Sequence, residues 1–228
     1  MAFPSIIGSM QLLTRVLVVS CAVAGVVACL AAKDFVKPVA QPAKTYPAHD
    51  DHTDEKVAIA ADPYDNPDKA KIFSVDFHEH GFLPIFFVIT NDGGQPISIA
   101  NMQVTLITAN RGKFTPIAPE DIFRRLSNPQ ANTNPGVNPL PIPIPRKKVK
   151  GTISKKEMDE IESSQFAARA VEPHTTQSGF LYFDVGDIAT PIAGAHVDVT
   201  GVNDVKGAEL MYFEIELEKS QNPPPKPN

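Results

Sequence analysis

The chain has 228 residues with a formal net charge of −5, and that mild acidity excludes nucleic acid as the main partner, because phosphate recognition is built on clustered Lys and Arg. Its two cysteines, Cys21 and Cys29, both lie in an apolar N-terminal stretch, which excludes a disulfide framework, a thiol nucleophile or a cysteine-ligated metal from the rest of the chain. With the special ends set aside, roughly 160 residues remain, enough for one domain with a proper core.

At the N-terminus, Arg15 is the one basic side chain before Lys33, and the apolar stretch 16–28 follows it. A basic region, a short apolar region and a small residue before the cut define a secretory signal. The end of this stretch, Val26-Val27-Ala28-Cys29, resembles the lipobox of bacterial lipoproteins. That resemblance implies removal of 1–28 as a signal peptide and lipidation of Cys29. Val18-Val19-Ser20-Cys21 fits the same pattern but leaves almost no apolar stretch behind Arg15. Two alternatives stay open. One is an uncleaved anchor over 16–32, whose 17 apolar or small residues stand at the lower edge of a spanning helix. The other is soluble export. All three put the domain outside the cytoplasm, and the lipobox reading places it in the cell envelope with a lipid anchor as its membrane contact. Residues 29–56 are rich in Pro, Ala and charge without an apolar period, the composition of a flexible tether.

The predicted domain spans 57–219. Val57 to Ala60 is a short strand candidate, and 72–77 alternates with Phe73, Val75 and Phe77 on one face, as a half-buried strand does. In 83–90, Leu83, Ile85, Phe87 and Ile89 share one face while Phe86 and Val88 occupy the other. A strand apolar on both sides must be covered on both sides. The turn Asn91-Asp92-Gly93-Gly94 then reads as the bend of a central hairpin whose return passes Ile97, Ile99, Val104 and Leu106.

Across 115–172 the β-pattern stops. Residues 118–126 form a short helix, with Pro119 in the first turn, acids at its start and arginines at its end, as the helix dipole favours. Ser154 and Glu157 form a capping box opening a second helix that turns Met158, Ile161 and Phe166 inward. These helices are the natural cover for Phe86 and Val88. Strand signals return at 179–185, 195–200 and 209–218, and the Pro-rich tail 220–228 reads as disordered.

About seven strands of this kind predict a mainly β protein, an immunoglobulin-like antiparallel β-sandwich with a helical, Pro-rich insertion. Glu172-Pro173-His174-Thr175-Thr176 followed by Gly179-Phe180-Leu181-Tyr182-Phe183-Asp184-Val185 resembles a recurring element of telokin-like immunoglobulin-fold domains in bacterial envelope lipoproteins. That resemblance implies a fold rather than an activity.

Residues able to carry chemistry are few. His49, Asp50, Asp51, His52 and Asp54 offer metal-binding atoms but fall in the expected tether, and metal sites need rigid geometry. His78 and His80, two apart on an expected strand, would project from one face as a ligand pair, with His174 or His196 to complete it. No G-x-S-x-G, S-x-x-K or P-loop motif occurs. In 139–145, Leu140, Ile142 and Ile144 alternate with prolines, and Arg146, Lys147 and Lys148 follow. This stretch reads as an edge strap or as a docking segment for an acidic partner or anionic lipid. The expectation is a non-catalytic, lipid-anchored envelope protein without a cofactor that binds another envelope protein or serves a structural role. A metal-binding protein using His78 and His80 is the alternative.

Overall fold

The computed structural model describes residues 35–127, 153–186 and 188–221. In chain order its strands are β1 (His49–His52), β2 (Val57–Pro63), β3 (Phe82–Asn91), β4 (Ile97–Ser98), β5 (Gln103–Ile107), β6 (Lys113–Phe114), β7 (Ala170–Val171), β8 (Thr175–Asp184), β9 (His196–Thr200) and β10 (Phe213–Glu216). Its helices are α1 (Pro67–Ala70), α2 (Pro119–Ser127) and α3 (Lys155–Ser164), with single 3₁₀ turns at Ala43–Thr45 and Leu217–Ser220.

Sheet I runs β1-β2-β3-β8 and sheet II runs β10-β9-β5-β6, antiparallel throughout. The protein is mainly β, as the sequence leads one to expect. Within the sheets, β2-β3-β8 and β10-β9-β5-β6 follow the A-B-E and G-F-C-C′ orders of immunoglobulin-type sandwiches, with β1 added outside β2.

An inner core fills the space between the sheets. From sheet I it takes Ile59, Leu83, Ile85, Phe87 and Phe183, and from sheet II Val104, Leu106, Val197, Val199, Phe213 and Ile215. Every second residue of each strand contributes, so period-2 alternation is the physical origin of this layer. The opposite face of sheet I carries Ala58, Ala60, Phe82, Phe86, Val88, Phe180 and Tyr182. Over it lie Phe73, Val75 and Phe77, then Ile122 and Leu126 of α2 and Ile161 of α3. Phe86 is 1% exposed and Phe87 is fully buried. The double cover demanded by 83–90 is present, and the helical insertion supplies part of it.

Four expectations are corrected. The tether ends earlier than residue 56: Phe35, Ala40, Ala43 and Tyr46 pack on the outer layer, Ala48 enters the inner core, and β1 pairs with β2. Composition hid this because Pro, Ala and charge dominate the segment while only a few small apolar residues make the contacts. The turn at 91–94 makes no hairpin, because β3 and β5 belong to different sheets. Asn91 bends the chain there instead: its Oδ1 accepts from Gly93 N at 2.9 Å, and its Nδ2 donates to the carbonyls of Gln95 at 2.8 Å and Val171 at 3.0 Å.

Residues 72–77 are not a strand. Their alternation comes from packing on the outer layer, and their N–H groups bond elsewhere: Phe73 N to Ala70 O, and Ser74 N to the Glu160 carboxylate at 2.9 Å. The last strand is shorter than 209–218, with Met211 and Tyr212 exposed. Both helices form where expected, but of the three side chains expected inward from the second only Ile161 is buried on it: Met158 is half-buried, and Phe166 lies beyond its end. Pro119, Ile122 and Leu126 are the buried stripe of α2, and both bonds of the Ser154–Glu157 capping box form on α3.

Phe166 links the two cores. It follows α3, which covers the outer face, yet it packs in the inner core edge-on to Phe87 at 5.3 Å. The chain crosses the margin of β8 at Gly179, with Phe166 N donating to Phe180 O at 3.0 Å. A Cβ on Gly179 would meet the Phe166 backbone, standing 2.5 Å from its nitrogen. Only glycine allows that approach.

Candidate functional site

Where β2 and β8 end and β3 begins, two open clefts of about 520 Å³ and 330 Å³ adjoin, with Asp65, His78 and Ala189 on the rim of both. Local sequence builds this end of the sandwich. The side chain of Asn66 accepts from Asp68 N at 2.8 Å and Pro67 opens α1, the pairing favoured at a helix start. From α1 the chain runs through 72–77 with Phe73, Val75 and Phe77 pointing into the outer core and Ser74 and Asp76 facing solvent. Glu160, only 3% exposed, holds this wall from behind through Ser74 N.

The turn at 77–80 closes the wall. Phe77 O accepts from Phe82 N at 2.8 Å and His80 N at 3.2 Å, and Asp76 Oδ1 accepts from Glu79 N at 3.0 Å. Gly81 leaves the turn at φ +75°, and its carbonyl accepts from Val185 N and Gly186 N. Arg125 of α2 locks the assembly. It pairs with Asp184, lies 4.5 Å over the Phe82 ring and donates to His80 O at 3.4 Å. Burial pulls its guanidinium pKa below the ordinary arginine value.

The electrostatics of the clefts are lopsided. Asp65 is half-buried, and desolvation pushes its carboxyl pKa up, opposed by nearby His78. Asp76 and Glu79 add two more carboxylates to the lining. The single lysine of the lining, Lys71, is paired with Asp68 outside it. Tyr64 forms part of the floor, edge-on to Phe73 and Phe180, and burial pushes its phenol pKa up to about 12. The result is an acidic rim over an apolar floor.

His78 therefore reaches a concave site, but not as a strand-borne pair with His80. Both lie in a turn, where two-residue alternation does not apply, and the backbone carbonyl of His80 is what engages Arg125. His174 stands beyond the opposite end of the ten-residue β3–β8 ladder from His78, roughly 30 Å away at strand rise. His196 lies in sheet II with Nε2 3.7 Å from Asp198. Among the described residues no group of three or more His, Cys, Asp or Glu side chains is placed to hold a metal. Cys29, Leu140, Ile142, Ile144, Arg146, Lys147 and Lys148 lie outside the described residues.

Sequence reasoning passed over Asp65 and Ala189. The available signal was Asp62-Pro63-Tyr64-Asp65-Asn66-Pro67, in which two X-Pro steps mark an exposed turn. It announces a loop but not the concavity that the distant loop carrying Ala189 completes.

The acid–histidine cluster at 49–55 belongs to the fold, not to a tether. His52 lies between Glu55 (2.9 Å) and Asp50 (3.3 Å), its ring stacked on Phe213 at 4.0 Å. Asp50 and Glu55 in turn accept from Glu214 N and Met211 N, each at 3.0 Å. These carboxylates satisfy amides on the open side of β10 and so close one margin of the sandwich, a known need of sheet edges. Compared with protein-family models, curated proteins and solved structures, the chain matches none of them.

Proposed function

We propose that this protein is a non-catalytic binding module of the cell envelope, anchored by lipid at Cys29, that presents the Asp65–His78 clefts to its ligand. The observation that carries the reading is the pair of clefts meeting at Asp65 on the loop end of the sandwich. Their combined size suits a small molecule or a protruding side chain. Two features support a binding role. The walls are braced by Glu160 and Arg125, which favours a preformed site. Among the described residues the hydroxyls of the lining are those of Ser74 and Tyr64, and no histidine or acid is hydrogen-bonded to the Ser74 side chain to activate it as a nucleophile.

The envelope assignment is supported by the lipobox-like Val26-Val27-Ala28-Cys29 behind Arg15. Among the described residues no helix is long and apolar enough to cross a membrane.

Two measurements test the two halves. Fractionating cells that express full-length Cys29→Ala should move the protein from the membrane to the soluble fraction; unchanged retention would refute the lipid anchor. A photo-crosslinking residue at Ala189, on the shared rim, should yield a discrete adduct in cells. The same residue at Ala100, exposed at the opposite end, should not. Equal labelling at both positions would remove the clefts from the function.

A further inference from the structure

We infer that the clefts bind a cationic group, a primary ammonium or guanidinium on an aliphatic stem, with Asp65 as its counter-charge. This deepens the binding-module reading and rests on it.

The acids around this end of the sandwich differ in how they are satisfied. Asp62 pairs with Lys69 at 2.5 Å, Asp68 with Lys71, and Asp184 with Arg125. Asp76 caps the amide of Glu79. Asp65 is half-buried, yet among the described residues it accepts no hydrogen bond and forms no ion pair; its one charged influence is His78. Removing a carboxylate from water without a partner is unfavourable. A protein that keeps one at the meeting point of two concavities has left a place for a positive charge supplied from outside.

The surroundings select the sign and shape of that ligand. Glu79 in one cleft and Asp76 in the other add negative charge, so carboxylates outnumber the single lysine of the lining and disfavour an anionic group. That lysine, Lys71, pairs with Asp68 at the exposed surface. Beside the acids, Phe73, Val75, Phe77 and Pro84 line the larger cleft, a surface against which methylene groups pack while the charged head stays at the rim. His78 contributes a ring that accepts or donates a hydrogen bond according to its tautomer.

Calorimetric titration of the full-length protein tests this with four capped amino-acid amides: lysine, arginine, norleucine and glutamate. The lysine and arginine probes should bind, and norleucine, which keeps the aliphatic stem of lysine without its ammonium, and glutamate should not. Asp65→Asn should weaken the cationic probes by about tenfold or more, equivalent to 1.4 kcal/mol. Its melting temperature without ligand should be unchanged or higher, because the substitution removes a half-buried charge that has no ion-pair partner among the described residues.

Ala189→Trp, which fills the shared rim from an exposed position, should abolish binding and provides a second variant should Asp65→Asn fold poorly. Cadaverine, tested alongside, separates sources. Binding as tight as the lysine probe identifies a free amine, and weaker binding identifies a side chain of a protein. Norleucine binding as well as lysine, or full affinity in Asp65→Asn, would overturn the inference. Absence of binding by every cationic probe would overturn it too, while the Ala189 crosslink would still decide whether the clefts bind anything.

Discussion

β3 is apolar on both faces, and the protein covers those faces in two different ways. On the inner side, Leu83, Ile85, Phe87 and Ile89 meet a second sheet. On the outer side, Phe82, Phe86 and Val88 meet a patchwork of an N-terminal segment, the 72–77 wall and two helices. The inner cover is periodic, and no titratable side chain is among its buried residues. The outer cover is irregular. It holds the phenol of Tyr182, is braced by the carboxylate of Glu160, and forms the larger cleft along its margin. The sheet-on-sheet side supplies rigidity, and the irregular side supplies concavity, charge and a place for chemistry.

The hardest test of the comparison is to place a charge on each face in turn. Phe86→Asp and Phe87→Asp each remove a fully buried ring and bury an unpaired carboxylate. Each should cost about 5 kcal/mol or more and leave little folded protein by circular dichroism. If Phe86→Asp folds normally, the outer layer is a loose flap and the equivalence of the two faces is lost.

Gly179, where the chain passes from one cover to the other, comes next. Gly179→Ala forces a Cβ against the Phe166 backbone, and overpacking of that kind costs about 2 kcal/mol. The urea midpoint should fall without a change in slope. A neutral outcome would mean that the 165–168 segment can move away and that Phe166 does not tie the two cores together.

How much of this was legible depends on the kind of cover. Alternation in 83–90 declares two buried faces, and the need for an outer layer follows from those six side chains alone. Capping signals at Ser154 and Pro119 place the helices that supply part of it. Alternation misleads at 72–77, because Phe73, Val75 and Phe77 satisfy the strand pattern while their backbone bonds go to turns and to Glu160. Periodicity reports which side chains are buried, and it is blind to where the N–H groups go. β1 escaped notice for the opposite reason: its four residues are all polar, and they are held by pairing with β2 and by contacts to β10 that no local pattern encodes. The clefts were the least legible feature. Asp65, His78 and Ala189 come from three separate segments, and concavity is a property of their meeting.

A smaller effect separates the covers by pH. The Ser164 hydroxyl donates to Ile161 O at 2.9 Å and stands 2.6 Å from the Tyr182 hydroxyl, so Tyr182 is the donor in that pair. Tyr182→Phe should cost about 1–2 kcal/mol, the price of an acceptor left unpaired in the interior. Burial raises the pKa of Tyr182 and brings Tyr64 up to about 12, against an ordinary tyrosine value of 10.0. In both cases the unfolded chain loses its proton first as pH rises. The contribution is therefore present in full below about pH 10 and is lost as pH climbs through the folded values. Stability should decline from about pH 10 upward, and the Tyr64→Phe, Tyr182→Phe double variant should flatten that decline. An unchanged slope in the double variant would show that neither phenol is held neutral by the outer layer.

The smallest predicted change is Ser154→Ala, and it is the most discriminating about how the covers unfold. Ser154 Oγ accepts from Glu157 N at 3.2 Å while its own N donates to Glu157 Oε2 at 2.6 Å. Loss of such a cap costs about 1 kcal/mol, equivalent to about 2–4 °C in melting temperature for a chain of this size. Further along the same helix, Glu160 holds Ser74 N on the cleft wall. Fraying of α3 should thus reach the wall first. Hydrogen exchange at the Ser74 amide should accelerate severalfold, while amides of β9 in the inner sheet keep their protection. If β9 amides accelerate equally, both covers open as one cooperative unit, and the irregular side has no independent freedom with which to admit a ligand.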